Sequence, residues 1–266
     1  MNAGSRARNA APETYPPLSY GGIRLRSAGF SADGARDYNE DRLGHVSDAE
    51  SACWALADGL GGHLGGARAA QLAVDASMVS LKHSSSPKLE DRLKQAISDA
   101  HAAIAAEQRQ YSEFAGMRST LVLLGADAGQ LAWAHTGDSR LYHFRDGRLV
   151  WRTRDHSAVQ LLVSAGEVNE ADISRHPDRS RLISSLGGDN SLLISFRRAE
   201  SAPRTGDVLL LASDGLWEHF DSLSLEKAVV EASGPEELLM LLARRVAAEA
   251  RPSQDNYSAI AVYVES

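Results

Sequence analysis

Two apolar runs stop abruptly at an Asp-Gly pair. Cys53-Trp54-Ala55-Leu56-Ala57 leads into Asp58-Gly59, and Val208-Leu209-Leu210-Leu211-Ala212 leads through Ser213 into Asp214-Gly215. Short continuous apolar runs bounded by turn residues predict buried strands. Each run therefore delivers a carboxylate to a glycine turn at a strand end. Alternation of Ile23, Leu25 and Ser27 with Arg24 and Arg26, followed by Phe30, predicts an earlier strand over Ile23–Ser31. Strand signals then come in close succession at Ser119–Ala126, Leu131–Thr136, Arg140–Phe144 and Arg148–Trp151, with connections short enough for antiparallel hairpins. Further strands are predicted at Leu192–Phe196 and Ala259–Val264.

Helical spacing appears in three places. Ala69, Leu72, Ala73, Ala76, Met78 and Val79 mark a helix over about 66–82, and Leu89, Leu93, Ala96, Ile97, Ala100 and Ile104 mark one over about 88–110. Leu238, Leu241, Leu242, Val246 and Ala247 mark a last helix over about 234–250, with Pro235 and paired glutamates in its first turn. All three stripes read as faces turned to a core. Residues from Asp155 to about Leu186 break the pattern with a short helix and a polar stretch containing His176-Pro177. An excursion that long between strands reads as a small flap beside a site. Residues 1–20, with Pro12, Pro16 and Pro17 among small and polar residues, read as a disordered leader. Residues 21–266 then form one domain.

Composition narrows the class without naming a function. The 266 residues are 43% hydrophobic and 24% charged, ordinary values for a globular protein. The net charge of −7 argues against nucleic acid as a partner, which would call for a basic patch. The single cysteine, Cys53, excludes a disulfide framework and a cysteine-rich zinc site. No apolar segment is long enough to span a bilayer, and residues 1–20 lack the apolar stretch of a signal peptide. A cytoplasmic protein without membrane partners is the expectation, with monomer the default.

Other carboxylates also sit at strand ends. Asp138 lies in the turn Gly137-Asp138-Ser139, Asp255 precedes the final strand, and Arg36-Asp37-Tyr38-Asn39-Glu40-Asp41 forms a charged loop between strands. Hard oxygen ligands without thiols or a histidine pair suit magnesium or manganese. A guanidinium beside them suits recognition of a phosphate. Each Asp-Gly alone also fits an ordinary hairpin turn, and the charged loop alone also fits surface ion pairing.

Together the motifs Arg36-Asp37-Tyr38-Asn39-Glu40-Asp41, Asp58-Gly59-Leu60-Gly61-Gly62-His63, Ser119-Thr120, Gly137-Asp138-Ser139-Arg140, Ser213-Asp214-Gly215-Leu216-Trp217 and Asp255-Asn256 are more specific than any one of them. In order and spacing the chain resembles the metal-dependent serine/threonine protein phosphatases, the PPM or type 2C group, in their compact bacterial form. The resemblance runs from about Gly21 to Val264 and carries Ser119 where many members have threonine. It implies an α+β fold, a four-layer α-β-β-α sandwich of two antiparallel sheets flanked by helices, with a small flap. It also implies two tightly bound Mn2+ or Mg2+ ions and a weaker third. By that resemblance Asp58 bridges two ions, the Gly59 carbonyl binds one, and Asp214 and Asp255 complete the set. Glu40 and Asp41 hold water on the metals, Asp138 supports the third ion with Asp214, Arg36 grips the phosphate, and His63 is the acid for the leaving alkoxide. The implied reaction is hydrolysis of phosphoserine or phosphothreonine in substrates of a serine/threonine kinase. The alternative is a non-catalytic relative that binds phosphoproteins.

Overall fold

The computed structural model describes residues 11–20, 23–61, 64–188, 191–249 and 252–266. The first half contains β1 (Glu13–Tyr20), β2 (Ile23–Ala32), β3 (Asp41–Ser47), β4 (Ser51–Leu60), α1 (Leu64–His83), α2 (Leu89–Gln110), β5 (Arg118–Ser119), β6 (Leu121–Asp127) and β7 (Gln130–Thr136). The second contains β8 (Arg140–Arg145), β9 (Arg148–Arg152), α3 (Ala158–Ser164), β10 (Ser195–Arg198), β11 (Val208–Ala212), α4 (Asp214–Trp217), α5 (Ser222–Glu231), α6 (Pro235–Glu249) and β12 (Tyr257–Glu265). One sheet has the order β1-β2-β12-β11-β8-β9, and the other β10-β7-β6-β4-β3 with β5 attached to β4. All of the pairings are antiparallel.

The continuous apolar runs follow from burial of both sheet faces. Successive side chains of a strand point to opposite sides. In β4, Trp54 and Leu56 enter the layer between the sheets, where they join Val122, Leu124, Leu209, Leu211 and Ile260. Cys53, Ala55 and Ala57 face outward instead, onto Ala69, Ala73, Leu93 and Ile97 of α1 and α2. The other sheet repeats the arrangement: Leu209 and Leu211 point inward, while Val208, Leu210 and Ala212 meet Leu238, Leu242 and Val246 of α6. Two sheets between two helical layers result, the expected α+β sandwich. Each large apolar side chain buried this way stabilises the fold by about 1.5–3 kcal/mol. The Trp54 indole N–H, fully buried, donates to Ser27 Oγ at 3.0 Å and so joins the sheets by a polar contact as well.

The expected leader needs correction, because residues 13–20 form an edge strand on β2. Pro16 and Pro17 fall where the register shifts between Tyr15 and Leu18, an irregularity at which the missing N–H groups cost no ladder bond. Leu18 is buried, and Tyr15 stacks on His45 at 5.0 Å between centroids, which anchors the strand despite its prolines. Residues 1–10 lie outside the described residues. The strand expected at Leu192–Phe196 is displaced to Ser195–Arg198, where it pairs with β7. β3, α4 and α5 were not anticipated. Among them α5 begins with an Asp221 capping box, its side chain accepting from the Ser224 N–H at 2.7 Å. The flap closes at its base where Ser157 bridges Leu182 and the Ala158 N–H donates to Arg181 O at 2.8 Å. No helix among the described residues is long and apolar enough to cross a membrane.

Candidate active site

The strand register brings the predicted carboxylates to one end of the sandwich. In one sheet Asp41 of β3 lies directly opposite Asp58 of β4. In the other, Ala212 pairs with both Ala259 of β12 and Arg140 of β8. Asp214 follows the end of β11, while Asp255 and Asp138 precede β12 and β8, so all three emerge together. Ser213 joins the sheets: its hydroxyl donates to Asp41 Oδ2 at 2.8 Å and accepts from the Ser258 N–H at 2.9 Å.

Backbone contacts fix Asp58. Its N–H donates to Thr120 Oγ1 at 3.0 Å, and its carbonyl accepts from the Thr120 N–H at 2.8 Å and Ser119 Oγ at 3.0 Å. Thr120 Oγ1 lies 2.7 Å from Ser139 Oγ, which ties this strand end to the Asp138 turn. Gly59 packs so closely on the start of α1 that a Cβ there would stand 2.0 Å from Gly66 O. Only glycine permits that approach.

The charged loop is held by Asn256. Its amide donates to Asp33 O at 2.8 Å and Tyr38 O at 3.0 Å, and its Oδ1 accepts from the Glu40 N–H at 2.9 Å. Gly34, at φ +62°, lets the loop lie against the Asp255 carbonyl, and the Ala35 N–H donates to Gln254 O at 2.8 Å. Arg36 then reaches Asp255 Oδ2 at 2.8 Å. That hydrogen bond holds the guanidinium above its ordinary pKa.

Electrostatics mark the cluster as a place for positive charge. Burial, and next the repulsion of Asp41, Asp214 and Asp138, pushes the Asp58 carboxyl well above its usual range. Asp214 is pushed up to about 7 by burial and by Asp255. Asp41 rises to about 7 through burial, against hydrogen bonds from Ser258 and Ser213. Burial and Asp214 also raise Asp138. Like charges this close cannot all ionise. Among the described residues no three acidic, histidine or cysteine side chains converge into a ready ligand cage. The set nonetheless fits a hard divalent cation: every donor is oxygen, the carboxyls repel one another, and Asp41 Oδ1 is buried without a hydrogen bond. His63 lies outside the described residues.

Four residues that sequence reasoning left without a role shape the surroundings. Arg140 forks onto Asp155 at 2.8 and 2.7 Å and lies 3.4 Å from the Trp217 ring centre, while the Trp217 indole N–H donates to Asp138 O at 3.0 Å. Arg140 and Trp217 stood inside the quoted motifs, but only the fold reveals what they touch. Asn256 and Ser213 are the others.

A sandwich of two sheets with carboxylates gathered at one end is an arrangement suited to a divalent cation. The sequence model of the protein phosphatase 2C family matches residues 28–248, and the chain belongs to that family. It is 36% identical over 194 residues to the serine/threonine protein phosphatase PstP of Mycobacterium tuberculosis, covering 72% of this chain and 36% of that relative. The chain thus spans little more than a third of PstP. It is 30% identical over 201 residues to the serine/threonine phosphatase stp of Listeria welshimeri, covering 72% of this chain and 77% of the relative. The crystal structure of the PstP catalytic domain in complex with two manganese ions superposes with a TM-score of 0.77 at 29% identity, covering 92% of this chain and all of that one.

Proposed function

We propose that the chain is a divalent-metal-dependent phosphatase acting on phosphoserine and phosphothreonine in proteins. The observation that carries this reading is the cluster of mutually repelling carboxyls at Asp41, Asp58, Asp138 and Asp214, the first and third buried and the other two half-buried, with the Arg36 guanidinium beside it on Asp255. Membership of the protein phosphatase 2C family and likeness to a manganese-bound relative support it.

Asp58, the Gly59 carbonyl, Asp214 and Asp255 would hold two ions, manganese or magnesium, and Asp138 with Asp214 a weaker third. When bound, such ions lower the pKa of water toward neutrality and neutralise phosphoryl oxygens. The chain's own residues supply the rest. Arg36, more than half exposed and, among the described residues, tethered by its side chain through Asp255, can turn the other edge of its guanidinium to a phosphoryl group. Glu40 and Asp41 orient water by accepting hydrogen bonds from it. His63 gives the proton that the departing serine or threonine oxygen needs. No protein residue becomes phosphorylated, so the reaction ends with phosphate and a free hydroxyl. The substrates are proteins phosphorylated by a serine/threonine kinase.

The test is phosphate release from a phosphothreonine peptide, with manganese and with chelator, beside the Asp214→Asn variant. Turnover should require the metal and fall by roughly a hundredfold or more in the variant. Equal turnover by the variant would overturn the assignment. Metal binding without any turnover would favour a phosphoprotein-binding role.

A further inference from the structure

Asp214 and Asp255 help line a groove of about 1160 Å3 that extends well past Arg36, between the flap and the segment from α4 into α5. That volume exceeds what one phosphorylated side chain fills and suits several residues of polypeptide. Its walls are charged, and their partners are unequal. Arg152 pairs with Glu170, and Arg245 with Glu249 at 3.3 Å, each on its own wall. Arg179 of the flap instead crosses the groove to Glu218, just after α4, at 2.8 Å. Arg175, in the short 3-10 turn Glu170–Arg175 of the flap, is exposed, and its side chain has no hydrogen bond or ion pair among the described residues. Its neighbour on the same wall is therefore already bonding a carboxylate, while Arg175 has donors to spare.

We infer that this groove receives the polypeptide beside the phosphorylated residue, and that Arg175 and Arg179 select a segment bearing a second anionic group, a carboxylate or another phosphoryl. The inference rests on the phosphatase reading above. An incoming anion bonds the open Arg175 fork directly and competes with Glu218 for Arg179. Guanidinium forks match the planar geometry of carboxylates and the oxygens of phosphate. Selection operates on binding of the flank and leaves the chemistry at the carboxylate cluster unchanged.

The experiment compares kcat/KM, read by mass spectrometry as loss of the phosphothreonine phosphate itself, for peptides that carry alanine, glutamate, lysine or phosphoserine at each flanking position in turn. The manganese-loaded enzyme is used, with p-nitrophenyl phosphate as a substrate too small to reach the flap. The unaltered protein should favour an acidic flank over alanine by roughly three- to tenfold, as partly exposed ion pairs allow. Arg175→Gln with Arg179→Gln should erase that preference and leave p-nitrophenyl phosphate hydrolysis unchanged. Glu218→Gln, which frees Arg179, should enlarge it. A preference shared by glutamate and phosphoserine peptides identifies negative charge as the signal, and one confined to phosphoserine identifies a phosphoryl group. Equal rates for acidic and alanine flanks, or a preference that survives the double substitution, would overturn the inference. Failure to hydrolyse p-nitrophenyl phosphate would instead contradict the phosphatase reading, and the inference with it.

Discussion

Replacing Asn256 with alanine tests how the loop carrying Arg36 is held. The Asn256 side chain is buried and makes hydrogen bonds of 2.8, 3.0 and 2.9 Å to Asp33 O, Tyr38 O and the Glu40 N–H. A net contribution near 1 kcal/mol per bond, with some rehydration of the freed groups, gives a loss of about 2–4 kcal/mol. Urea denaturation measures that loss. The functional effect should be larger than the stability effect implies, because the loop sets where Arg36 and Glu40 lie. KM for a phosphopeptide should rise severalfold under conditions where the variant is fully folded. Asn256→Asp separates the contributions, since it keeps an acceptor for Glu40 but loses both donated bonds and adds a carboxylate beside Asp255. It should therefore be worse at pH 8 than at pH 5. A stability change under about 0.5 kcal/mol with KM unaltered would show that the three bonds do not position the loop.

Arg140→Lys keeps the charge but loses the fork on Asp155 and the stacking on Trp217, and a buried pair broken this way should lower the melting temperature by roughly 5–15 °C. A shift under about 2 °C would contradict it. The carboxyls of Asp41 and Asp214 stand near 7 in the folded chain, above their usual value of 3.8. The folded state therefore binds more protons than the unfolded state between about pH 4 and 7, and these groups make the metal-free protein less stable as pH rises through that window. Manganese should accordingly raise the melting temperature more at pH 7.5 than at pH 5, and an equal rise at both would count against the carboxylate cluster as its site.

The sequence displayed the parts whose cause is local. The runs at 53–57 and 208–212 could be read as doubly buried strands because both of their faces meet apolar partners, and the helical stripes of α1, α2 and α6 survive in the observed core except at Val79 and Ala247, which the helices turn to solvent. The edge strand β1 was hidden because its stability comes from the Tyr15 stack and the burial of Leu18, while its prolines point to a loop. β3 was masked by its burial pattern, intermediate at five consecutive positions, and α4 and α5 by their shortness. At the site, the carboxylates were visible as strand-end Asp-Gly pairs. Their convergence was not, because it depends on register: Asp41 opposite Asp58, and Ala212 opposite both Ala259 and Arg140. The same holds for Asn256 and Ser213, small polar residues whose roles lie entirely in partners more than forty positions away.

The most direct test of the central claim is calorimetric titration of the metal-free protein with manganese, beside Asp58→Asn. Asp58 is the carboxylate that its neighbours press on from both sheets, so the unaltered protein should bind two ions and the variant should lose at least one of them or bind both at least tenfold more weakly. Two ions bound with unchanged affinity by the variant would contradict the assignment of this cluster as the metal centre.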